Sequence, residues 1–161
     1  MPALHLPRQY RDWVLDRGSL TKRLIRHSGG DFRVRLVALD WARPELDERQ
    51  ALGMSVRDVA LIREVELICR GEIWVRARSV IPVTTLSGEE RLLGNLGNRP
   101  LGAFLFRART MQRKGLQLAS VKQKGGQWII GRRSVFLLHQ KPLLVCEFFM
   151  PPLLNQMAKL K

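Results

Sequence analysis

Arg63 is the residue whose type and position most clearly predict chemistry. The odd positions of the apolar segment 59–69 are Val59, Leu61, Arg63, Val65, Leu67 and Cys69. Alternate residues of a β-strand share a face, so this spacing places the Arg63 guanidinium among aliphatic side chains. A cation removed from water is unstable unless an anion accompanies it. The pattern therefore predicts an anionic partner for Arg63.

A single carboxylate interrupts a second apolar segment, residues 142–150. Glu147 shares strand parity with Leu143, Val145 and Phe149, so it also faces an apolar side. Two interpretations are open. Arg63 and Glu147 pair with each other or with other core charges as structural ion pairs. Alternatively they line a closed pocket whose cationic end binds a ligand carboxylate and whose acidic end accepts a hydroxyl proton.

The elements that must position these two residues are short helices and longer strands. A helix-turn-helix is predicted at residues 8–25, with Ser19 capping its second helix. Period-2 patterns predict strands at 32–39, at 59–69, from 73 to Pro82, and at 110–121, 128–138 and 142–150. Strands joined mostly by short turns predict an α+β fold, with an antiparallel sheet and helices on one face.

Three short segments predict how these elements are connected. Residues 70–72 are predicted as a three-residue hairpin turn, which pairs Cys69 with Ile73, Leu67 with Val75 and Arg63 with Ser79. The small Ser79 would leave room beside Arg63. Residues 87–90 resemble a capping box that opens a helix, and residues 100–102 start a further short helix.

Length and composition predict one compact domain spanning residues 1–161, because a chain that is 45% hydrophobic can bury a real core. Cys69 and Cys146 lie in apolar strands without CxxC spacing, which indicates core residues in a reducing compartment and leaves a disulfide between them open. No signal peptide and no apolar stretch of the ~20 residues that span a membrane is evident, so a cytoplasmic location is expected.

The charge balance indicates a second class of partner to consider, namely polyanions. There are 28 Lys and Arg against 14 Asp and Glu, a net charge of +14. Such a surface attracts nucleic acid, an acidic membrane or a small polyanionic substrate. The basic residues are dispersed, with no basic helix or aromatic RNA-binding strand, so no specific nucleic-acid partner is expected. His5, His27 and His139 are also dispersed, and there is no phosphate-binding loop, so no metal and no cofactor is expected.

Six short segments in order along the chain form a recognisable set. They are Ser19-Leu20-Thr21-Lys22-Arg23, Leu61-Ile62-Arg63-Glu64-Val65, Pro82-Val83-Thr84-Thr85-Leu86-Ser87-Gly88, Pro100-Leu101-Gly102, Gly131-Arg132-Arg133-Ser134 and Lys141-Pro142-Leu143-Leu144-Val145-Cys146-Glu147. In this order they resemble the chorismate–pyruvate lyase family. Together they span nearly the whole chain, and two of them carry the charges already singled out. A shorter turn at residues 70–72, the basic balance and the tail from 153 to 161 depart from the family pattern.

The resemblance implies residue roles and a fold. It implies a monomer with about six antiparallel strands and two helical flaps over an enclosed ligand, the first flap being residues 19–25 and the second flap residues 87–106. Arg63 would hold the ring carboxylate and Glu147 would contact the 4-hydroxyl. Main-chain groups at Leu20 and Leu101 would complete the site, although simple flap packing is an equal alternative for these two leucines. Strand alternation allows only one of Arg132 and Arg133 to face inward.

The implied reaction is elimination of pyruvate from chorismate to give 4-hydroxybenzoate, which in the family feeds ubiquinone synthesis. Aromatisation drives it, so the protein needs only to orient a dianion, stabilise the departing oxygen and exclude water. Whether Glu147 acts as a base or only orients the hydroxyl is open. The alternatives are a non-catalytic small-molecule-binding domain of related fold and a basic nucleic-acid-binding module.

Overall fold

A six-stranded antiparallel sheet forms the centre of the protein in the computed structural model, which describes residues 6–122, 124–126 and 128–159. The strands are β1 (Phe32–Ala42), β2 (Ala60–Cys69), β3 (Glu72–Pro82), β4 (Gln112–Lys122), β5 (Trp128–Leu138) and β6 (Lys141–Phe149). They are arranged in the order β1-β2-β3-β6-β5-β4. The predicted α+β class is confirmed. The ends of the predicted 1–161 domain lie outside the described residues.

Helices pack on both faces of this sheet. They are α1 (Arg8–Val14), α2 (Leu20–His27), α3 (Leu46–Leu52), α4 (Leu101–Arg107) and α5 (Pro151–Lys159), with 3₁₀ helices at Val83–Thr85 and Gly88–Asn95. Residues of α1, α2, α4 and α5 pack on the face that carries Arg63 and Glu147. The short helix α3 lies on the opposite face, where Leu52 packs against Ile62, Val80 and Leu144.

The face that carries Arg63 has two separate apolar clusters. The first cluster joins α1, α2 and α5 to one end of the sheet, through residues such as Val65, Val75 and Phe149. The second cluster joins the second flap to the other end, through Leu61 and Ile81 among others. Polar side chains lie between the two clusters on four neighbouring strands, and these are Arg63, Ser79, Glu147, Arg132 and Ser134.

The β2–β3 hairpin contradicts one of the three predicted cross-strand residue pairs and confirms the other two. Arg70 and Gly71 form a two-residue turn with φ of 52° and 77°, the left-handed geometry of a type I′ hairpin. Cys69 therefore pairs with Glu72, and the predicted pair of Cys69 with Ile73 is wrong. A register shift between Leu67 and Ile68 then restores the predicted pairs of Leu67 with Val75 and of Arg63 with Ser79.

Two other local predictions are also settled. Ser87 makes no capping bond: its hydroxyl donates to Thr84 O at 3.3 Å and accepts from Lys141 Nζ at 3.1 Å. The segment Gly88–Asn95, where a capped helix is predicted, is a 3₁₀ helix. Cys69 and Cys146 are free thiols, since they lie on opposite faces of the sheet. In the described part of the chain, no helix is long and apolar enough to cross a membrane.

A buried carboxylate ties the second flap to the β5–β6 turn. Glu90 is 3% exposed, accepts from Lys141 Nζ at 2.9 Å and contacts His139 Nδ1. Burial by itself would raise the pKa of Glu90, but the hydrogen bonds with His139 and Lys141 outweigh burial and lower this pKa below its usual range. A carboxyl with a lowered pKa stabilises the fold above its ordinary titration range.

We expect Glu90→Gln to reduce the free energy of unfolding by about 1–3 kcal/mol at neutral pH, because two charge-assisted contacts are weakened. The difference from the parent should shrink as the pH falls through the lowered pKa of Glu90, where the parent carboxylate is itself protonated. Chemical denaturation at several pH values measures both effects. The neighbouring exposed Glu89→Gln is the control and should change little. Equal losses in the two variants would contradict the assignment.

Candidate active site

A cavity lies between the two apolar clusters and is lined by residues of both. All four residues singled out from the sequence line it: Leu20, Arg63, Leu101 and Glu147. The structure therefore brings together residues that are up to 127 positions apart in the chain. Their roles toward a ligand stay predictions.

Arg63 reaches the cavity from the middle of β2 and is 2% exposed. Its Nη2 donates to Arg99 O at 2.7 Å and to Gly97 O at 3.1 Å. Among the described residues, no carboxylate lies within 4.0 Å of this guanidinium, so Arg63 does not form an ion pair with Glu147. Burial lowers the pKa of Arg63 from its ordinary value, a cost that an anionic ligand would offset.

Glu147 projects into the same cavity from β6, and its partner is Arg132 on the neighbouring strand. Arg132 Nε donates to Glu147 Oε1 at 2.9 Å. The second oxygen, Oε2, has no hydrogen-bond partner among the residues that the structure describes. Glu147 thus forms a structural ion pair with another core charge, Arg132, as one of the two interpretations predicted. Its second carboxylate oxygen, Oε2, remains available in the cavity.

Arg132 also lines the cavity, although its sequence pattern predicted no ligand role for it. Its Nη1 donates to the main-chain oxygens of Val14 and Asp16, both at 3.0 Å, and approaches Trp13 O at 3.4 Å. It therefore fastens the chain just before the first flap to the sheet. The expectation that one arginine of the pair faces inward is correct, because Arg133 binds Asp47 on the opposite face at 2.9 Å.

Leu20 and Leu101 each form the first residue of a helix, and both are 6% exposed. Main-chain N–H groups in a first helical turn have no partner within the helix, which leaves them available to other acceptors. Ser19 Oγ accepts from Lys22 N at 3.2 Å and fixes the start of α2, as predicted. Both leucines also pack in the apolar clusters, so the alternative of flap packing applies as well.

The two flaps meet above the cavity at Gly102. A Cβ atom placed on Gly102 would lie 2.9 Å from Thr21 Oγ1, so a glycine allows α2 and α4 to approach closely. Arg63 holds the second flap through Gly97 and Arg99. Arg132 holds the chain that leads into the first flap. One buried arginine thus holds each flap to the sheet.

Arg113 on β4 also lines the cavity and was missed in the sequence. Its Nε donates to Ser134 Oγ at 3.0 Å, and its guanidinium lies 5.1 Å from the Phe136 ring centroid. Alternation alone could not place it, because the pairing of β4 with β5 shifts between Lys114 and Gln117. An arginine among exposed basic residues gives no signal by itself.

The protein is thus an α+β protein with polar groups in an internal cavity, and solved structures share its fold. PhnF from Mycobacterium smegmatis aligns with a TM-score of 0.64 at 15% identity over 86% of this chain and 66% of that one. The ligand-binding domain of a putative GntR-family transcriptional regulator from Bordetella bronchiseptica has a TM-score of 0.59 at 14% identity, covering 76% and 86%. At these identities the likeness shows the fold alone.

Sequence similarity identifies the family. The chorismate lyase family pattern matches residues 3–159. The chain is 42% identical to the probable chorismate pyruvate-lyase of Methylococcus capsulatus over 156 residues, covering 89% of this chain and 95% of that protein. It is 43% identical to the one from Alcanivorax borkumensis, covering 95% and 74%. The chain belongs to the chorismate lyase family, and the predicted enzyme class, a lyase, is confirmed.

Proposed function

We propose that this enzyme eliminates pyruvate from chorismate and releases 4-hydroxybenzoate. The observation that carries the proposal is the Arg63 guanidinium, which is buried without a carboxylate partner in a cavity shared with Glu147. A buried cation of this kind is suited to a ligand carboxylate. Membership of the chorismate lyase family supplies the substrate.

The proposed chemistry needs no redox step and no water. The ring bond to the enolpyruvyl oxygen breaks, and its electron pair leaves on that oxygen as the enolate of pyruvate. The adjacent ring carbon, which bears the hydroxyl, loses its proton, and the electrons of that C–H bond complete the aromatic ring. The enolate takes up one proton at its methylene carbon, so the products balance the substrate. The protein's contribution is orientation and stabilisation of charge.

The residue roles follow from position in the cavity. Arg63 would hold the ring carboxylate while keeping its bonds to the second flap. Glu147 Oε2 would accept from the 4-hydroxyl, with Arg132 keeping the carboxylate in place. Main-chain N–H groups at Leu20 and Leu101 would add contacts from the two flaps. Glu147 could then orient the hydroxyl whether or not it receives a proton.

Incubation of the purified protein with chorismate tests this function. Equal amounts of 4-hydroxybenzoate and pyruvate are expected, measured by chromatography and by a coupled assay, with a chelator present throughout. A chain that binds 4-hydroxybenzoate but produces neither product would instead be a non-catalytic binding domain. A chain that binds DNA or RNA in a salt-dependent manner and ignores chorismate would be a nucleic-acid-binding module.

The flaps are expected to move when the ligand enters, because α2 and α4 approach each other closely over the cavity that would receive it. Hydrogen exchange in residues 19–25 and 87–106 should slow when 4-hydroxybenzoate is saturating, while helix α3 on the opposite face should keep its rate. Mass spectrometry of peptic fragments measures both segments together. Identical exchange of the flaps with and without the product would indicate an open cleft.

Four further properties belong to the same proposal. We propose a single catalytic unit that spans residues 1–161 and acts as a monomer in the cytoplasm, where the two free thiols are stable. Family membership supports the use of 4-hydroxybenzoate for ubiquinone synthesis. Sedimentation of the active protein tests the monomer, because a dimer would sediment at twice the mass of 18.5 kDa.

A further inference from the structure

The cavity contains a second cation that can receive an anion, Arg113. Its guanidinium has one short hydrogen bond, from Nε to Ser134 Oγ at 3.0 Å, and one long contact, from Nη1 to Asp16 O at 3.5 Å. In the described part of the chain, Nη2 has no hydrogen-bond partner and no carboxylate lies within 4.0 Å. Burial and the nearby Arg132 lower the pKa of Arg113 to about 10, and the carboxylates of Glu147 and Asp16 offset this shift only in part.

Arg63 and Arg113 line the same cavity from strands that lie four steps apart in the sheet. A row of paired residues runs from Arg63 to Ser79, then to Val145 and to Ser134. Arg113 pairs with Phe136 on β5, and its Nε donates to the Ser134 hydroxyl at the end of this row. Neighbouring strands are about 4.8 Å apart, so the main chains of β2 and β4 are separated by roughly 19 Å. A ligand with two anionic groups can therefore meet a different arginine with each group.

The side chains along this row leave room for a ligand. Ser79 and Ser134 are small and buried, at 2% and 3% exposure. Glu147 lies in the adjacent row, between the two arginines, with Ala77 on one side and Arg132 on the other. An elongated ligand in the row would thus have a cation at each end and a carboxylate beside its middle.

Arg132 already has a carboxylate partner, because its Nε donates to Glu147 Oε1 at 2.9 Å. Its Nη1 is shared among the main-chain oxygens of Trp13, Val14 and Asp16, so only Nη2 lacks a partner among the described residues. Of the cavity arginines Arg63, Arg113 and Arg132, it is Arg63 and Arg113 that have no carboxylate within 4.0 Å in the described part of the chain.

We infer that Arg113 binds the enolpyruvyl carboxylate of the substrate, at the end of the cavity opposite Arg63. The inference rests on the proposed function, because chorismate carries two carboxylates and Arg63 accounts for one of them. The departing enolate forms next to the second carboxylate, so Arg113 is also placed to stabilise the charge that develops there. The aromatic product keeps only the ring carboxylate and does not need Arg113.

Because chorismate needs Arg113 and 4-hydroxybenzoate does not, substitution of Arg113 should affect the two ligands differently. Arg113→Met should lower kcat/KM for chorismate about 10–100-fold, since a charge-assisted bond is lost. Its dissociation constant for 4-hydroxybenzoate, measured by calorimetry, should stay within about twofold of the parent. Arg113→Lys keeps the charge but not the fork, and it should lose less activity than Arg113→Met. Arg133→Met, on the opposite face, is the matched control and should change neither quantity.

Each outcome decides the inference. Unchanged turnover in Arg113→Met would overturn it, and so would equal weakening of turnover and product binding, which indicates a general structural role. If Arg113→Met does not fold, the same two criteria apply to Arg113→Lys. A parent protein that produces no pyruvate from chorismate would contradict the proposed function itself, an outcome visible before any variant is made.

Discussion

Arg63→Lys is expected to raise the dissociation constant for 4-hydroxybenzoate about 10–100-fold and to lower turnover of chorismate by a similar factor. The planar guanidinium can bind a carboxylate through two parallel hydrogen bonds and still donate to the second flap, whereas an ammonium group is a single point of contact. In the structure, Nη2 already donates to Gly97 O and Arg99 O, so the remaining donors are those offered to the ligand. Calorimetry with the product measures the loss directly.

The same variant also tests the structural interpretation of Arg63. Its bonds to Gly97 and Arg99 hold the second flap, so the free energy of unfolding must be measured without ligand. A modest loss of stability together with a large loss of affinity supports ligand binding. Arg76→Lys, on the exposed face of β3, is the control. Unchanged affinity in a folded Arg63→Lys protein, or a large loss of stability that accounts for the whole effect, would refute the assignment.

Glu147→Gln is expected to remove much of the preference for a para hydroxyl. Glutamine keeps the shape and a carbonyl acceptor but loses the charge, so 4-hydroxybenzoate should bind about 10–100-fold more weakly while benzoate binds about as well as before. Turnover should also fall if this contact strengthens in the transition state. The ratio of the two affinities, measured by calorimetry, isolates the hydroxyl from the rest of the ligand.

The pairing of Glu147 with Arg132 adds a consequence for stability that the sequence did not indicate. Glutamine can still accept from Arg132 Nε, and Arg132 keeps its main-chain acceptors, so the variant should fold with reduced stability. Glu64→Gln, on the opposite face of β2, controls for the loss of a strand carboxylate. An identical ratio of affinities in parent and variant would mean that Glu147 serves only its ion pair with Arg132.

Much of the site follows from strand periodicity. Arg63 and Glu147 are recognisable because each interrupts an apolar face, and both occupy the same cavity in the fold. The strand bounds at Trp128–Leu138 and the inward position of one arginine in the pair follow from the same rule. The family motifs then placed Leu20 and Leu101 at the helix starts that cover the cavity.

The missed features depend on contacts between distant segments. Arg132 acts through main-chain oxygens of residues 13, 14 and 16, more than a hundred positions away, which no local pattern encodes. Arg113 precedes a register shift between Lys114 and Gln117, so the alternation of the rest of β4 does not extend to it. The hairpin error arose because Arg70 adopts positive φ, a conformation rarely expected of arginine.

A structure of the protein with bound 4-hydroxybenzoate tests the central claim most directly. The ligand is expected in the cavity between the two apolar clusters, with its carboxylate on the Arg63 guanidinium and its hydroxyl within hydrogen-bond distance of Glu147 Oε2. Arg113 should make no contact with the product carboxylate. A ligand bound outside this cavity, or bound with its carboxylate away from Arg63, would contradict the account.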